Sequence, residues 1–167
     1  DYFEKGIPFI RATNVKQGTI KPQGMVYISE EDANNISKCQ IKAGDLIVVR
    51  SGVNSGDCAL IPLEYDGAYA AYDLIVEVPF PTNHFLNTAI NSPFGKETIA
   101  TLSRRAGQPH VNSEQIESME YPFPPLSLQE EFAGVVARVE SLRGRMSEGE
   151  RQVEGLFESL LAEAFAE

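Results

Sequence analysis

The 167-residue chain carries 14 Lys and Arg against 24 Asp and Glu, a formal charge of −10, and 43% of its residues are hydrophobic. That length suits one domain, or a domain with an appendage, and the hydrophobic content is enough for a core. The charge excludes a broadly basic surface of the kind most nucleic-acid-binding domains present: residues 1–126 hold 10 basic and 15 acidic side chains and residues 127–167 hold 4 and 9, so both parts are acidic.

Asp1-Tyr2-Phe3-Glu4-Lys5 has no basic-then-apolar run of a signal peptide, and no apolar run approaches a membrane span. Cys39 and Cys58 stand 19 positions apart with no Cys-x-x-Cys, which fits two thiols in a reducing, cytoplasmic protein. Ile7-Pro8-Phe9-Ile10-Arg11-Ala12-Thr13-Asn14-Val15 reads as a strand, with Pro8 suited to its start or to an edge. Gly18 marks a turn before Thr19-Ile20, and Met25–Ile28 is a further short strand. Ser29 followed by Glu30, Glu31 and Asp32 reads as a capped helix start with acids in its first turn. Leu46-Ile47-Val48-Val49 is a branched apolar run expected to be a strand buried on both faces. A polar, glycine-bearing loop from Ser51 to Asp57 leads to a second strand at Cys58–Ile61. It lacks the Gly-Lys-Ser/Thr ending of a nucleotide-binding loop, and reads equally as a hairpin connection or a contact loop. Ala70–Val78 ends in another strand, Phe85–Asn91 and Phe94–Leu102 are short helices, and Ser103–Asn112 is a polar loop with adjacent Arg104 and Arg105. Ser113–Met119 is a further short helix.

Pro122, Pro124 and Pro125 interrupt helix, and Ser127 with Glu130 three residues on has the pattern of a capping box. Phe132, Val139, Met146, Val153 and Leu160 then recur every seven residues, interleaved with Leu128, Val135, Leu142, Gly149 and Leu156. This is an a/d seam, broken only at Gly149 and Glu163. A helix from Leu128 to the end is roughly 60 Å long at ~1.5 Å per residue. A body of residues 1–125 is only about 30–40 Å across, so the seam calls for a partner helix. Two shorter helices broken at Gly144 or Gly149 and folded back are the other arrangement. The expected fold is α+β: a mixed, largely β-sheet body over residues 1–125 with short helices, then one long coiled-coil helix over 126–167.

Catalytic signatures are missing. His84, His110, Cys39 and Cys58 have no zinc-ligand spacing. Asn91-Ser92-Pro93-Phe94 has Ser where the base-holding motif of amino-methyltransferases has Pro, and no glycine-rich cofactor loop precedes it. Asp73 and Glu77 lack the lysine of a nuclease site, and no spacing singles out a nucleophile–base pair. No metal and no cofactor are implied, and the chain reads as a non-enzyme.

Three ordered stretches, GIPFIRATNVKQGTI, GDLIVVRSGVNSGDCALI and AGQPHVNSEQIESMEYPFPPLSLQEEF, resemble the target-recognition half of a type I restriction–modification specificity subunit. The resemblance covers nearly the whole chain, with a strand and loop that the family has before the first stretch missing here. It implies a domain that reads one half of a bipartite site in double-stranded DNA. It also implies a helix that pairs with another, from the same subunit or a second copy, sets the spacing and docks methyltransferase (M) subunits, the restriction (R) subunit joining through the complex. No membrane is involved.

Arg or Lys suits guanine edges and phosphates, and Asn or Gln suits adenine. The candidate DNA contacts are therefore Arg11, Asn14 and Lys16; Arg50, Ser51, Asn54 and Ser55; and Arg104, Arg105, Gln108, His110 and Asn112. The acidic balance makes any such surface a local patch, or leaves phosphate neutralisation to a partner subunit. It also favours a DNA-independent scaffold with a helical dimerisation arm, which the loops bearing Arg, Asn and Gln disfavour; a recognition domain left from a lost methyltransferase would look alike.

Overall fold

The computed structural model describes residues 2–71, 73–103 and 110–165. Its first strand, β1 (Ile7–Ile10), stops short of the expected Ile7–Val15 run. Ala12–Asn14 turns as a 3-10 helix instead, because the Asn14 side chain offers the backbone an alternative to strand pairing. Its Oδ1 accepts from Arg11 N at 3.1 Å, and its Nδ2 donates to the carbonyls of Lys21 and Gln23. A two-residue hairpin joins β2 (Val15–Lys16) to β3 (Thr19–Ile20). Gln17 and Gly18 at its tip both have positive φ, as a primed turn demands. The next strand, β4 (Val26–Ile28), runs antiparallel to β1. It leads into α1 (Glu30–Asn35), where Ser29 Oγ accepts from Asp32 N at 3.0 Å, the cap expected from sequence.

The branched run forms β5 (Leu46–Val48), which is central. It is antiparallel to β6 (Cys58–Leu60) on one side. The short β7 (Tyr69–Ala70) departs to pair in parallel with β1, and β8 (Leu74–Val76) closes the other side of β5. Two three-stranded sheets result, ordered β4-β1-β7 and β6-β5-β8, and the β2–β3 hairpin meets β6, with Gly18 bridged to Ala59. Alternation along β5 splits the core. Ile47 and Val49 join Ile10, Val15, Ile41 and Ile61, while Leu46 and Val48 join Cys58, Ile90, Ile99 and Val111. The whole run from Leu46 to Val49 is inaccessible to solvent, as expected of a strand covered on both faces.

The second face is covered by α2 (Thr82–Asn91) and α3 (Pro93–Ser103); α2 begins three residues before the expected Phe85. Asn91 docks α2 to the sheet: its Oδ1 accepts from Cys58 N at 3.2 Å and its Nδ2 donates to Cys58 O at 2.9 Å. Ser92 Oγ accepts from Gly95 N at 3.1 Å and starts α3. Gly95 has to be glycine, because a Cβ there would sit 2.3 Å from Ala89 O. The short α4 (Ser113–Glu117) carries a full capping box, with Asn112 Oδ1 accepting from Gln115 N and Gln115 Oε1 from Asn112 N.

The last element, α5 (Leu126–Ala164), is one continuous helix of 39 residues, without a break at Gly144 or Gly149. Its start corrects the sequence reading. The N-cap is Pro125, whose carbonyl accepts from Leu128 N and Gln129 N; Ser127 lies inside the first turn and caps nothing. Proline's fixed φ suits the edge of a helix, so the helix begins before the serine. Gln129 and Ala133 are the buried residues of α5, and Phe132 meets Phe85 of α2 edge to face at 6.5 Å. Beyond that contact the seam is open: Val135, Val139, Leu142, Met146, Val153, Leu156 and Leu160 are all exposed, as is Leu128 before it.

Candidate nucleic-acid interface

The Ser51–Asp57 loop leaves β5 at the end where the chain returns before α4. Val111 N donates to Arg50 O at 2.8 Å, and Ser51 and His110 form an antiparallel bridge. Residues some sixty positions apart are thus held side by side. The Arg50 side chain is exposed, and its Nε donates to His110 Nε2 at 3.4 Å. Among the described residues the remaining guanidinium donors have no hydrogen-bond partner. Ser55 Oγ donates to Arg50 O at 3.2 Å, and Gly56 N returns to Val49 O at 2.8 Å, closing the loop on its stem. Gly56 turns at φ +83°, and a Cβ there would lie 2.5 Å from Ile99 Cγ2, so the loop is set tightly against α3. Val53, at the loop tip, is fully exposed.

Asp73 completes this cluster and was not a candidate from sequence. Its Oδ1 accepts from Arg50 N at 3.1 Å. Burial pushes its carboxyl up from the ordinary value of 3.8, and the Arg50 N–H partly offsets that. The signal that places it there is the pairing of β8 with β5, Val48 opposite Leu74, which no local pattern reveals.

The other candidates separate into three groups. Arg11 and Asn14 belong to the fold. The Arg11 Nη2 donates to Gly24 O at 2.6 Å and its guanidinium lies 5.6 Å from the Tyr2 ring centroid, while Asn14 is fully buried. Asn112 is a helix cap. Lys16 and Asn54 line a polar groove of about 420 Å³ with Gln17, Thr19, Lys21, Asp57 and Arg143; Asn54 Nδ2 also reaches Ala12 O at 3.5 Å. Arg104, Arg105 and Gln108 lie outside the described residues. Sequence reasoning passed over Val53, Lys21 and Arg143 as well as Asp73. Among the described residues no group of His, Cys, Asp and Glu is placed to hold a metal ion, and no helix is long and apolar enough to cross a membrane.

What this arrangement offers is a small exposed surface with donors from Arg50, a ring nitrogen edge from His110, hydroxyls from Ser51 and Ser55 and an apolar tip at Val53. Hydrogen-bonding groups and a methyl contact are the chemistry that distinguishes base edges in a groove.

Two solved structures share the fold. One, described as the structural basis underlying complex assembly and conformational transition of the type I R-M system, is 23% identical with a TM-score of 0.61, covering 95% of this chain and 43% of that one. The other, the HsdS subunit from Thermoanaerobacter tengcongensis, is 20% identical with a TM-score of 0.58, covering 94% of this chain and 42% of that one. The chain therefore spans less than half the length of either. No curated protein sequence matches it. The family model for the type I restriction modification DNA specificity domain matches residues 1–152; the chain belongs to that family.

Proposed function

We propose that this chain is a DNA-recognition part of a type I restriction–modification complex. Residues 1–125 read one half of a bipartite double-stranded site, and α5 pairs with another helix to hold two such readers apart and to seat M subunits, the R subunit joining through them. The reading surface is the cluster of Arg50, Ser51, Ser55 and His110 with Val53 at its tip, and Arg104, Arg105 and Gln108 are further candidate DNA contacts. Arg11, Asn14 and Asn112 support it through the fold. The observation that carries this reading is the Ser51–His110 bridge, which sets His110 beside the start of the Ser51–Asp57 loop in a chain of this family. The chain itself supplies recognition and not catalysis.

The test is to assemble the chain into a complete type I complex and map methylated sites across a genome. Arg50→Ala with His110→Ala should relax one half-site at one or two positions, with a discrimination loss of about 1–3 kcal/mol per lost bidentate contact, and leave the other half-site unchanged. Deleting Met146 to Gln152 removes one heptad, about 10.5 Å of helix, and keeps the seam in register because Val153 then follows Arg145. The spacer should shorten by roughly 3 base pairs at ~3.4 Å each. Unaltered half-sites and spacer with full activity would overturn both assignments. The acidic charge of −10 favours a DNA-independent scaffold, and that reading predicts sites indifferent to every one of these changes.

A further inference from the structure

The groove beside the hairpin concentrates positive charge in an acidic chain. Lys16 of β2, Lys21 just after β3 and Arg143 of α5 line one cavity with Asn54, Gln17 and Thr19. The one acidic side chain among the lining residues, Asp57, is already neutralised by an ion pair with Lys96. Among the described residues the ammonium groups of Lys16 and Lys21 have no hydrogen bond or ion pair. Arg143 meets Glu140 at 2.9 Å on the exposed helix surface, through one of its five N–H donors. Three cations, two at the hairpin and one on α5, with amide and hydroxyl donors between them, suit an anion with several oxygens. Asn54 belongs both to this groove and to the loop that begins at Ser51, so the groove continues the surface already assigned to DNA.

We infer that Lys16, Lys21 and Arg143 grip the phosphates of the DNA strand that leaves the recognition loops, so that α5 touches DNA directly as well as spacing the readers. This rests on the DNA-recognition reading above and adds a role for the helix. A clamp that includes one residue of α5 and two of the hairpin fixes the angle between helix and body when DNA is bound. Phosphate contacts set register and carry no sequence information. The groove therefore governs affinity and its salt dependence, while the loops govern which sequence is chosen.

The assembled type I complex, carrying Lys16→Gln, Lys21→Gln and Arg143→Gln together, is titrated with its own target duplex and with a duplex altered in one half-site, at a series of salt concentrations. Each phosphate contact contributes about 0.9 to the slope of log affinity against log salt. The triple variant should lose about 2–3 from that slope while keeping the ratio between the two duplexes. Arg143→Gln alone should lose about 1, and Arg143→Lys should restore it. A wild-type slope in the triple variant, where the wild-type complex still prefers its target, overturns the clamp and leaves DNA recognition standing. A wild-type complex that shows no preference for its target overturns the DNA reading and the clamp with it. A variant that fails to assemble with M subunits, with unchanged affinity for DNA in whatever does assemble, overturns the clamp in favour of a protein contact.

Discussion

Residues 1–125 bury their branched side chains on both faces of β5, whereas along α5 eight seam residues from Leu128 to Leu160 stay 40% or more exposed. Both regions are acidic, so charge does not separate them. What does is where apolar surface finds a partner. The body contains its own partners: Ile47 and Val49 face one cluster, Leu46 and Val48 the other. The helix meets the body through Gln129, Phe132 and Ala133, and lines a groove with α2 and the hairpin as far as Arg143. Beyond them it carries Gly144, Gly149 and Gly155 with open space around each, and a glycine inside a helix costs about 1 kcal/mol relative to alanine. Stability is thus intrinsic to the body and conditional along the helix, which suits a rod that becomes rigid on assembly.

The strongest way to break this contrast is a matched pair of truncations. Ile47→Ala removes a fully buried side chain and should lower the stability of the chain by about 2–5 kcal/mol. Leu156→Ala, on the open seam, should change it by less than about 0.5 kcal/mol. Urea unfolding at low protein concentration reads both. An equal loss at Leu156 would mean that the distal helix is already packed in the free chain, and the division between body and helix would be wrong.

A second change sharpens the boundary between the two. Phe132 sits half-buried against Phe85, so Phe132→Ala should weaken the docking of α5 on the body by about 1–3 kcal/mol and loosen the helix at its root without unfolding the sheets. Spin-label distances from the body to α5 should broaden, while the urea midpoint of the body shifts only slightly. A distance distribution as narrow as the wild type would show that Gln129 and Ala133 alone fix the helix direction.

These contrasts also explain what could be read from the sequence. The run from Leu46 to Val49 is dominated by one physical demand, burial on two faces, and was legible, as was the long helix along which the seven-residue pattern repeats. Ser29 was legible as a cap because nothing competes with it. Ser127 matched the same pattern, yet Pro125 ends the extended segment and its carbonyl takes the first helical bonds, so the serine arrives too late. Asn14 looked like an exposed reader of adenine, but its amide holds two carbonyls under the hairpin. The meeting of Ser51 with His110, and of Arg50 with Asp73, depends on strand pairing across the chain. Local spacing carries no trace of such contacts. Arg143 escaped notice because a lone arginine on a charged helix has no pattern until the helix lies beside Lys16 and Lys21.

The smallest expected effect lies at Asp73, whose carboxylate holds Arg50 N where the chain leaves β5 for the Ser51–Asp57 loop. Burial raises its carboxyl above the ordinary value of 3.8, and Arg50 N–H only partly compensates. A carboxyl raised on folding favours the native state while it is protonated, and that contribution is lost as pH rises through the folded value. At neutral pH the ionised Asp73 therefore weakens the fold slightly. Asp73→Asn keeps an oxygen for Arg50 N and removes the charge, so it should raise the melting temperature at pH 7. The gain should shrink as pH falls through the raised value and vanish below 3.8. Thermal unfolding of both proteins from pH 3 to 8 measures this difference. A gain that persists at the acid end would point to a packing effect in place of charge. A destabilised variant at pH 7 would show that the carboxylate is stabilised by Arg50 and its neighbours more than burial penalises it.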